Sequence, residues 1–475
     1  MAFHYQNLAD RLTESIVSGD LPPHHKLSSL RSFAGHHAVS ITTAKACYEL
    51  LEARGLIIAK PKSGYFVKNI HSVLEPPTHP YFSSCAQAIS NLELQNEIQE
   101  ASIHPSRVHL GAIQLSPKLI PTDTLRRSIQ RALKHSAPQD FLYSDKQGHL
   151  KLRQALSSHC AEDGIYIHEN SIFITHGCLS AISIVIQLLT QVGDSIIVPT
   201  PNYNGQQLLL ANLGRNILEI PASHNGIDLQ RLEHVMATSK AKVCLLTINY
   251  HNPLGFCLSN SDKEKIAQLA AQYECFIIED DIYSECGHTT LRPLPIQYWD
   301  TQGRVFLCSS ISKSLSPAYR IGWLCLPAQQ EHLKDRLLSL SSLVNTPLQL
   351  GLADFIHCRA YRQHLNKLRF TLAQQVDEYR NFMIEIFKEI NIKITQPQGG
   401  YCLWMQLPTK IKGLDIYKFA QQQGINIVPG EVFSSDEKYS NFIRLNAGYP
   451  LNPRIRSALV SLRDWLQVQC SNHQF

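Results

Sequence analysis

Residues 308–326 read CSSISKSLSPAYRIGWLCL, and the one lysine in that stretch, Lys313, organises the reading of the whole chain. An apolar run, Val305 to Cys308, leads into a serine cluster. After the lysine come Pro317, Arg320 and a second apolar run, Ile321 to Leu326. The pattern is strand, loop, strand, and a lysine between two buried segments is not a solvated charge without a reason. Lysine amines form Schiff bases with aldehydes, most commonly with pyridoxal phosphate. Ser310, three residues before the lysine, and Arg320, seven after it, supply the hydroxyl and the fixed guanidinium fork that a phosphate ester needs. The plain alternative is a surface lysine in a Ser-rich loop.

Working outward, strand-like apolar runs alternate with helix-length segments at Ile172–Thr175, Ile196–Val198, Val243–Ile248, Phe276–Glu279, Val305–Cys308 and Ile321–Leu326. Such alternation predicts a mostly parallel α/β sheet. Polar residues gather at the ends of these runs, where open α/β sheets place their ligands. Thr175-His176-Gly177-Cys178 closes a strand and opens a helix, leaving backbone N–H groups free for a phosphate; an ordinary strand-to-helix turn reads the same way. In VPTPNYNG the ring of Tyr203 is suited to cover a flat heterocycle, although a surface turn looks alike. NYHNPLG offers the Asn252 amide. FIIEDDIY is the sharpest segment, because two carboxylates ending an apolar strand are costly to bury without a cation. A protonated pyridine nitrogen is such a cation for Asp280, and Tyr283 lies one turn on. A metal ion is the rival occupant for Asp280 and Asp281. No histidine or cysteine pair with ligand spacing stands beside them, so no metal is expected.

The whole chain bounds these readings. It has 475 residues, 44% hydrophobic and 17% charged, which marks a folded protein of more than one domain. No apolar run reaches membrane-spanning length, and MAFHYQNLADRL lacks the basic end and apolar core of a signal peptide, so a cytoplasmic protein away from the membrane is expected. The 13 cysteines form no Cys-x-x-Cys, which argues against a disulfide framework or a zinc ribbon. The net charge is only +5, but residues 1–70 hold eight Lys and Arg against five Asp and Glu, with five histidines.

That basic segment has its own architecture. Tyr5, Leu8, Leu12 and Ile16 recur at helical spacing up to Gly19. Ser28 or Ser29 caps a second short helix, and Ser40 caps a third that turns Ala44, Cys47, Tyr48 and Leu51 inward and ends at Gly55. Leu56–Ala59 and Tyr65–Val67 then read as two strands around Lys60-Pro61-Lys62-Ser63-Gly64. Three helices and a hairpin predict a winged helix-turn-helix. Thr42, Thr43 and Lys45 are the exposed residues of the third helix's first turn, where major-groove readers meet the bases. Arg31 reaches phosphate or a base edge, and Lys60 and Lys62 sit on the wing. A small protein-interaction domain is the alternative. Residues 71–106 form a linker: an extended, Pro-bearing tether from His71 to Pro80, then Ser84–Ile103, which is predicted as an amphipathic helix packed on either domain.

Two resemblances rest on these residues. KLSSLRSFAGHHAVSITTAKACYELLEARGLIIAKPKSGYFV resembles the GntR family of DNA-binding domains, across nearly all of residues 5–68. The resemblance implies DNA contacts for Arg31, Thr42 and Lys45 and makes Ser63-Gly64 the wing tip. That family usually has arginine after the capping residue; here Ile41 stands there, able to pack on a thymine methyl. Y-x-x-x-x-G-x-x-x-L-R at Tyr143, N-P-L-G at Asn252, E-D-D-x-Y at Glu279 and S-x-S-K-x-x-x-P-x-x-R at Ser310 appear in the order of fold-type I aminotransferases, over about Val108 to Trp465. This second resemblance implies that Lys313 carries pyridoxal 5'-phosphate as a Schiff base, Asp280 pairs with the pyridine nitrogen, and Tyr203 stacks on the ring. It further implies that Asn252 and Tyr283 bond the phenolic oxygen. Gly177, Cys178, Ser310, Ser312 and Arg320 surround the phosphate, and Tyr143 enters from across a homodimer. Arg444, in NFIRLNAG, matches the arginine that grips an α-carboxylate. Leu179 departs from the family, which often has a polar residue there. The region from 107 to 475 is expected to be the aminotransferase-like body, with a smaller C-terminal part from about Ile392.

The fusion resembles the MocR subfamily of transcriptional regulators. Three readings follow: a pyridoxal-phosphate-dependent regulator that binds a double-stranded DNA operator and senses an amino compound, a working aminotransferase with an incidental head, and a DNA-binding scaffold. Intact Lys313, Asp280 and Arg444 argue against the scaffold. A basic head with a polar recognition helix argues against the plain enzyme.

Overall fold

In the computed structural model of the chain, the described residues are 4–17, 20–22, 25–53, 56–60, 63–67, 75–78, 94, 97, 98, 100 and 106–472. They belong to two units, Met1–Leu74 and Glu75–Phe475. Lys62, Gly19, Gly55 and most of the segments 71–80 and 84–103 lie outside the described residues.

The head consists of α1 (His4–Val17), α2 (Leu30–His36), α3 (Ile41–Ala53) and the hairpin β1 (Ile57–Lys60) and β2 (Gly64–Val67). Leu8, Ala9 and Ile16 of α1 bury against Phe33, Ala34, Ala44, Cys47, Tyr48 and Leu51, so helical spacing turns one face of each helix into the core. Ser29, not Ser28, caps α2, its Oγ accepting from Ser32 N at 3.2 Å. Ser28 meets Tyr48 instead, its carbonyl accepting from the Tyr48 hydroxyl at 3.0 Å. Ser40 caps α3 by accepting from Thr43 N at 3.0 Å. The hairpin pairs Ile57 with Val67 and Lys60 with Gly64, and Gly64 takes the positive φ of 101° that closes the turn.

The body is built on an eight-stranded sheet in the order β4-β11-β10-β9-β8-β5-β6-β7. These strands are β4 (Ile172–Thr175), β5 (Ser195–Thr200), β6 (Asn216–Ser223), β7 (Gly226–Ile227), β8 (Val243–Leu246), β9 (Phe276–Asp280), β10 (Val305–Ser310) and β11 (Gly322–Cys325); β3 (Val108–His109) lies elsewhere. All six predicted strands are present, but the sheet is mixed: β11 runs antiparallel to both β10 and β4. Side chains alternate between two cores. Phe173, Phe306, Cys308 and Leu324 enter one, while Ile172, Ile174, Leu307 and Cys325 enter the other. Burial on both faces explains the continuous apolar runs, each fully buried aliphatic side chain stabilising by about 1.5–3 kcal/mol.

The smaller C-terminal part carries a four-stranded antiparallel sheet ordered β12-β13-β16-β15. Its strands are β12 (Lys393–Ile394), β13 (Cys402–Gln406), β15 (Val428–Pro429) and β16 (Phe442–Asn446), while β14 (Ile425–Asn426) pairs with β3. The described part of the tether is not free. Ile394 N donates to Glu75 O at 3.3 Å, Lys393 pairs with Glu75 at 2.8 Å, and Thr78 N donates to Gln406 Oε1 at 2.9 Å. Farther along, Ile98 is 2% exposed and the Tyr417 hydroxyl bonds Glu97 at 3.2 Å, so the described linker residues pack on the body.

Candidate cofactor site and DNA interface

The ends of β4, β5, β9 and β10 converge on Lys313, and each supplies a different chemistry. Lys313 follows β10; its Nζ donates to Ile113 O at 2.6 Å and stands 5.9 Å from the centre of the Tyr283 ring. Burial, with Arg444 adding to it, lowers this amine to about 8. Asp280 ends β9 and is 4% exposed. Its Oδ1 accepts from the Cys178 thiol at 3.1 Å and from Ile282 N at 3.3 Å, and its Oδ2 from Gln206 Nε2 at 2.6 Å. None of the ion pairs among the described residues involves Asp280. Burial raises its carboxyl pKa, against the three donors, which favour the charged form. Asp281 is satisfied separately, by Asn249 Nδ2 at 2.7 Å and Arg292 Nη2 at 3.2 Å, so the two carboxylates share no cation.

The helix start at Gly177 is equally specific. Gly177 precedes the helix Cys178–Leu189 with no side-chain cap, at φ 90°. A Cβ on Gly177 would fall 2.9 Å from Arg320 Nη2, and one on Gly322 would fall 2.5 Å from the Gly177 carbonyl carbon. Only bare backbone fits, and the N–H groups of the helix start stay open to an anion. Ser310 and Ser312 place their hydroxyls 2.6 Å apart, and Arg320 donates to His176 O at 3.0 Å. The Cys178 thiol turns to Asp280, away from the helix start.

Asn252 Nδ2 lies 3.3 Å from the Tyr283 hydroxyl, and Asn252 Oδ1 accepts from Arg444 Nη1 at 3.2 Å. Arg444, on β16, is 3% exposed; its Nη2 donates to Gly111 O at 2.9 Å and its Nε has no partner. Tyr203 precedes the helix Asn204–Asn212, at the end of β5. Tyr143 is 96% exposed in the single chain. A buried carboxylate without a countercharge, a lysine amine lowered by burial, and a glycine-lined helix start fit pyridoxal phosphate. Sequence reasoning missed Gln206. A glutamine in a helix gives no signal of its own; only its place one turn after Tyr203 hinted at the same site.

In the head, Arg31, Ser40, Thr42, Lys45, Lys60, Ser63 and Gly64 are exposed, and Thr43 is half-buried. Lys45 pairs with Glu49 at 3.6 Å, and Lys60 Nζ lies 4.7 Å over the Phe66 ring. The Ser40 and Thr43 hydroxyls meet each other at 2.8 Å.

A family model described as "Aminotransferase class I and II" matches residues 112–452, and one described as "Bacterial regulatory proteins, gntR family" matches residues 4–67. "Uncharacterized HTH-type transcriptional regulator YdcR" of Escherichia coli (strain K12) is 34% identical over 467 residues, covering 98% of this chain and 99% of that one. "HTH-type transcriptional regulator NorG" of Staphylococcus aureus (strain USA300) is 28% identical over 452 residues, covering 93% and 99%. In fold, the crystal structure of Pyrococcus horikoshii kynurenine aminotransferase, in complex with PMP, covers 80% of this chain and 95% of its own at a TM-score of 0.71 and 22% identity. Among the described residues no helix is long and apolar enough to cross a membrane. By its two matched domains and its full-length relatives, the chain belongs to the HTH-type transcriptional regulators that join a gntR-family domain to an aminotransferase class I and II domain.

Proposed function

We propose that this regulator holds pyridoxal phosphate on Lys313, binds a DNA operator through its head as a homodimer, and takes an amino acid or related amine as effector. The observation that carries the proposal is the pairing, in one chain, of a gntR-family head with a site that gathers Arg444 on β16, Asn252 and Lys313 in loops, and Asp280 at the end of β9. When bound, the cofactor supplies an aldehyde that captures primary amines and a ring that acts as an electron sink. The chain's own residues do the rest. Lys313 offers the amine, and Asp280, whose oxygens accept from Cys178 and Gln206, would hold the proton on the pyridine nitrogen. Asn252 and Tyr283 would bond the phenolic oxygen. Gly177, Cys178, Ser310, Ser312 and Arg320 would hold the phosphate, and Arg444 would take the effector carboxylate as a bidentate fork. An amine brought to about 8 by burial also favours a second activity, amino-group transfer to a 2-oxo acid, since such a lysine can accept and return a proton near neutral pH.

Operator titrations test the head. Arg31→Ala and Lys45→Ala are each expected to weaken binding, by about 1–3 kcal/mol for a base contact, or to lower the salt slope by about one for a phosphate contact. Equal gel-shift affinity from residues 75–475 alone would remove the head as reader. The run Phe141, Leu142 and Tyr143 is 61%, 70% and 96% exposed in the single chain, which supports its burial against a second copy. Sedimentation at micromolar concentration, cofactor bound, is expected to give a dimer; a monomer refutes the shared site.

A further inference from the structure

We infer that Ile41 reads a thymine 5-methyl group, one per half-site, in the operator's major groove. The inference rests on the DNA reading above and deepens it. Ile41 is the first residue of α3 and is 53% exposed, the one large exposed hydrophobic among the described residues of the head. The rest of the apolar surface of α3 is spent inward: Ala44, Cys47, Tyr48 and Leu51 are buried against α1 and α2. Ile41 and Lys45 stand one turn apart on the outward face, with Thr42 beside them, all exposed.

The neighbouring polar groups narrow what this turn can recognise. Ser40 Oγ accepts from Thr43 N at 3.0 Å, and the two hydroxyls lie 2.8 Å from one another. Both side chains of the cap are therefore already engaged, which leaves Ile41 and Thr42 to face the bases, with Lys45 on the same face paired to Glu49 at 3.6 Å. Residues in the first turn of a recognition helix are the ones that reach base edges. Ile41 has neither donor nor acceptor, so it cannot read guanine, adenine or the cytosine amine. The apolar feature that base pairs present in the major groove is the thymine methyl. An isoleucine at this place earns nothing from solvent and gains from covering that methyl. The match of residues 4–67 to a family of bacterial regulatory proteins gives an independent reason for nucleic acid, rather than another protein, to meet this face.

The test uses full-length protein with pyridoxal phosphate and a duplex that it selects from a random DNA pool. Each thymine in turn is replaced by uracil, which deletes the methyl and keeps every hydrogen-bonding group. One position per half-site is expected to cost about fourfold in affinity, the worth of one buried carbon, and about fifteenfold when both half-sites are changed. Ile41→Ala is expected to bind the parent duplex more weakly and to lose the difference between thymine and uracil there. Ile41→Val, which keeps a branched apolar end, is expected to retain it. Salt-dependent binding with no uracil-sensitive position, or with the same sensitivity in Ile41→Ala, overturns the inference and leaves the DNA reading standing. A protein that selects no duplex at all overturns both.

Discussion

Lys313→Ala is expected to abolish the covalent hold on pyridoxal phosphate. After incubation with cofactor and borohydride, the parent gains one reduced pyridoxyl phosphate per chain, and the substituted protein gains none. The effect is all or nothing, because no other lysine stands among the residues converging on this site. The fold should survive: Nζ makes one hydrogen bond, to Ile113 O, and the net worth of such a bond is about 1 kcal/mol. A pH dependence follows. With the amine lowered to about 8 by burial, roughly a tenth is unprotonated at pH 7, against about one part in a few thousand for an ordinary lysine. Attachment to cofactor-stripped protein should therefore quicken as pH passes through 8 and level off above about 9. A reducible bond in Lys313→Ala, or a rate that climbs without a break past pH 10, contradicts the assignment.

How much of this was legible before the structure depends on whether a residue's partner lies close in sequence. Ser310 ends one apolar strand, and Lys313 and Arg320 share the loop that follows it, so spacing alone brought them together. Asp280 announced itself as a charge ending an apolar strand. The strand β6 did not: Glu219 and Pro221 interrupt its apolar pattern. The structure explains the glutamate, which accepts from Ser435 N at 2.8 Å and Lys438 Nζ at 2.9 Å, more than two hundred residues downstream. Gln206 was invisible for the same reason, since its partner Asp280 arrives from another strand. The linker's amphipathic pattern predicted burial without saying against what, and Glu97 finds Tyr417, 320 residues away. Charged and polar residues satisfied by distant partners look, in sequence, like surface.

Arg444→Ala is expected to leave cofactor attachment and basal operator affinity intact and to abolish the response to effector. At rest the guanidinium is lodged against Gly111 O and Asn252 Oδ1, with Nε unpartnered. A carboxylate arriving with an amino compound offers two charged acceptors in place of two neutral ones, so it should draw the fork away from that lodging. A response to the carboxylate would reach the tether through a short path. Arg444 on β16 pairs with Trp404 on β13, and Gln406 at the end of β13 holds Thr78, its Nε2 donating to Thr78 Oγ1 at 3.0 Å. Glu75 is fixed to β12 beside it, by Ile394 N and Lys393. A shift of this sheet on carboxylate binding would therefore move residues 75–78, which it holds. Such a movement biases DNA binding only to the extent that operator affinity differs between the two positions of the sheet. A coupling of about 1–3 kcal/mol changes operator affinity roughly 5- to 150-fold. Arg444→Lys, which keeps the charge and loses the fork, should give a smaller response. The measurement is an operator titration with and without a panel of amino acids and amines. The same shift in parent and Arg444→Ala would mean that the effector does not act through a carboxylate on Arg444.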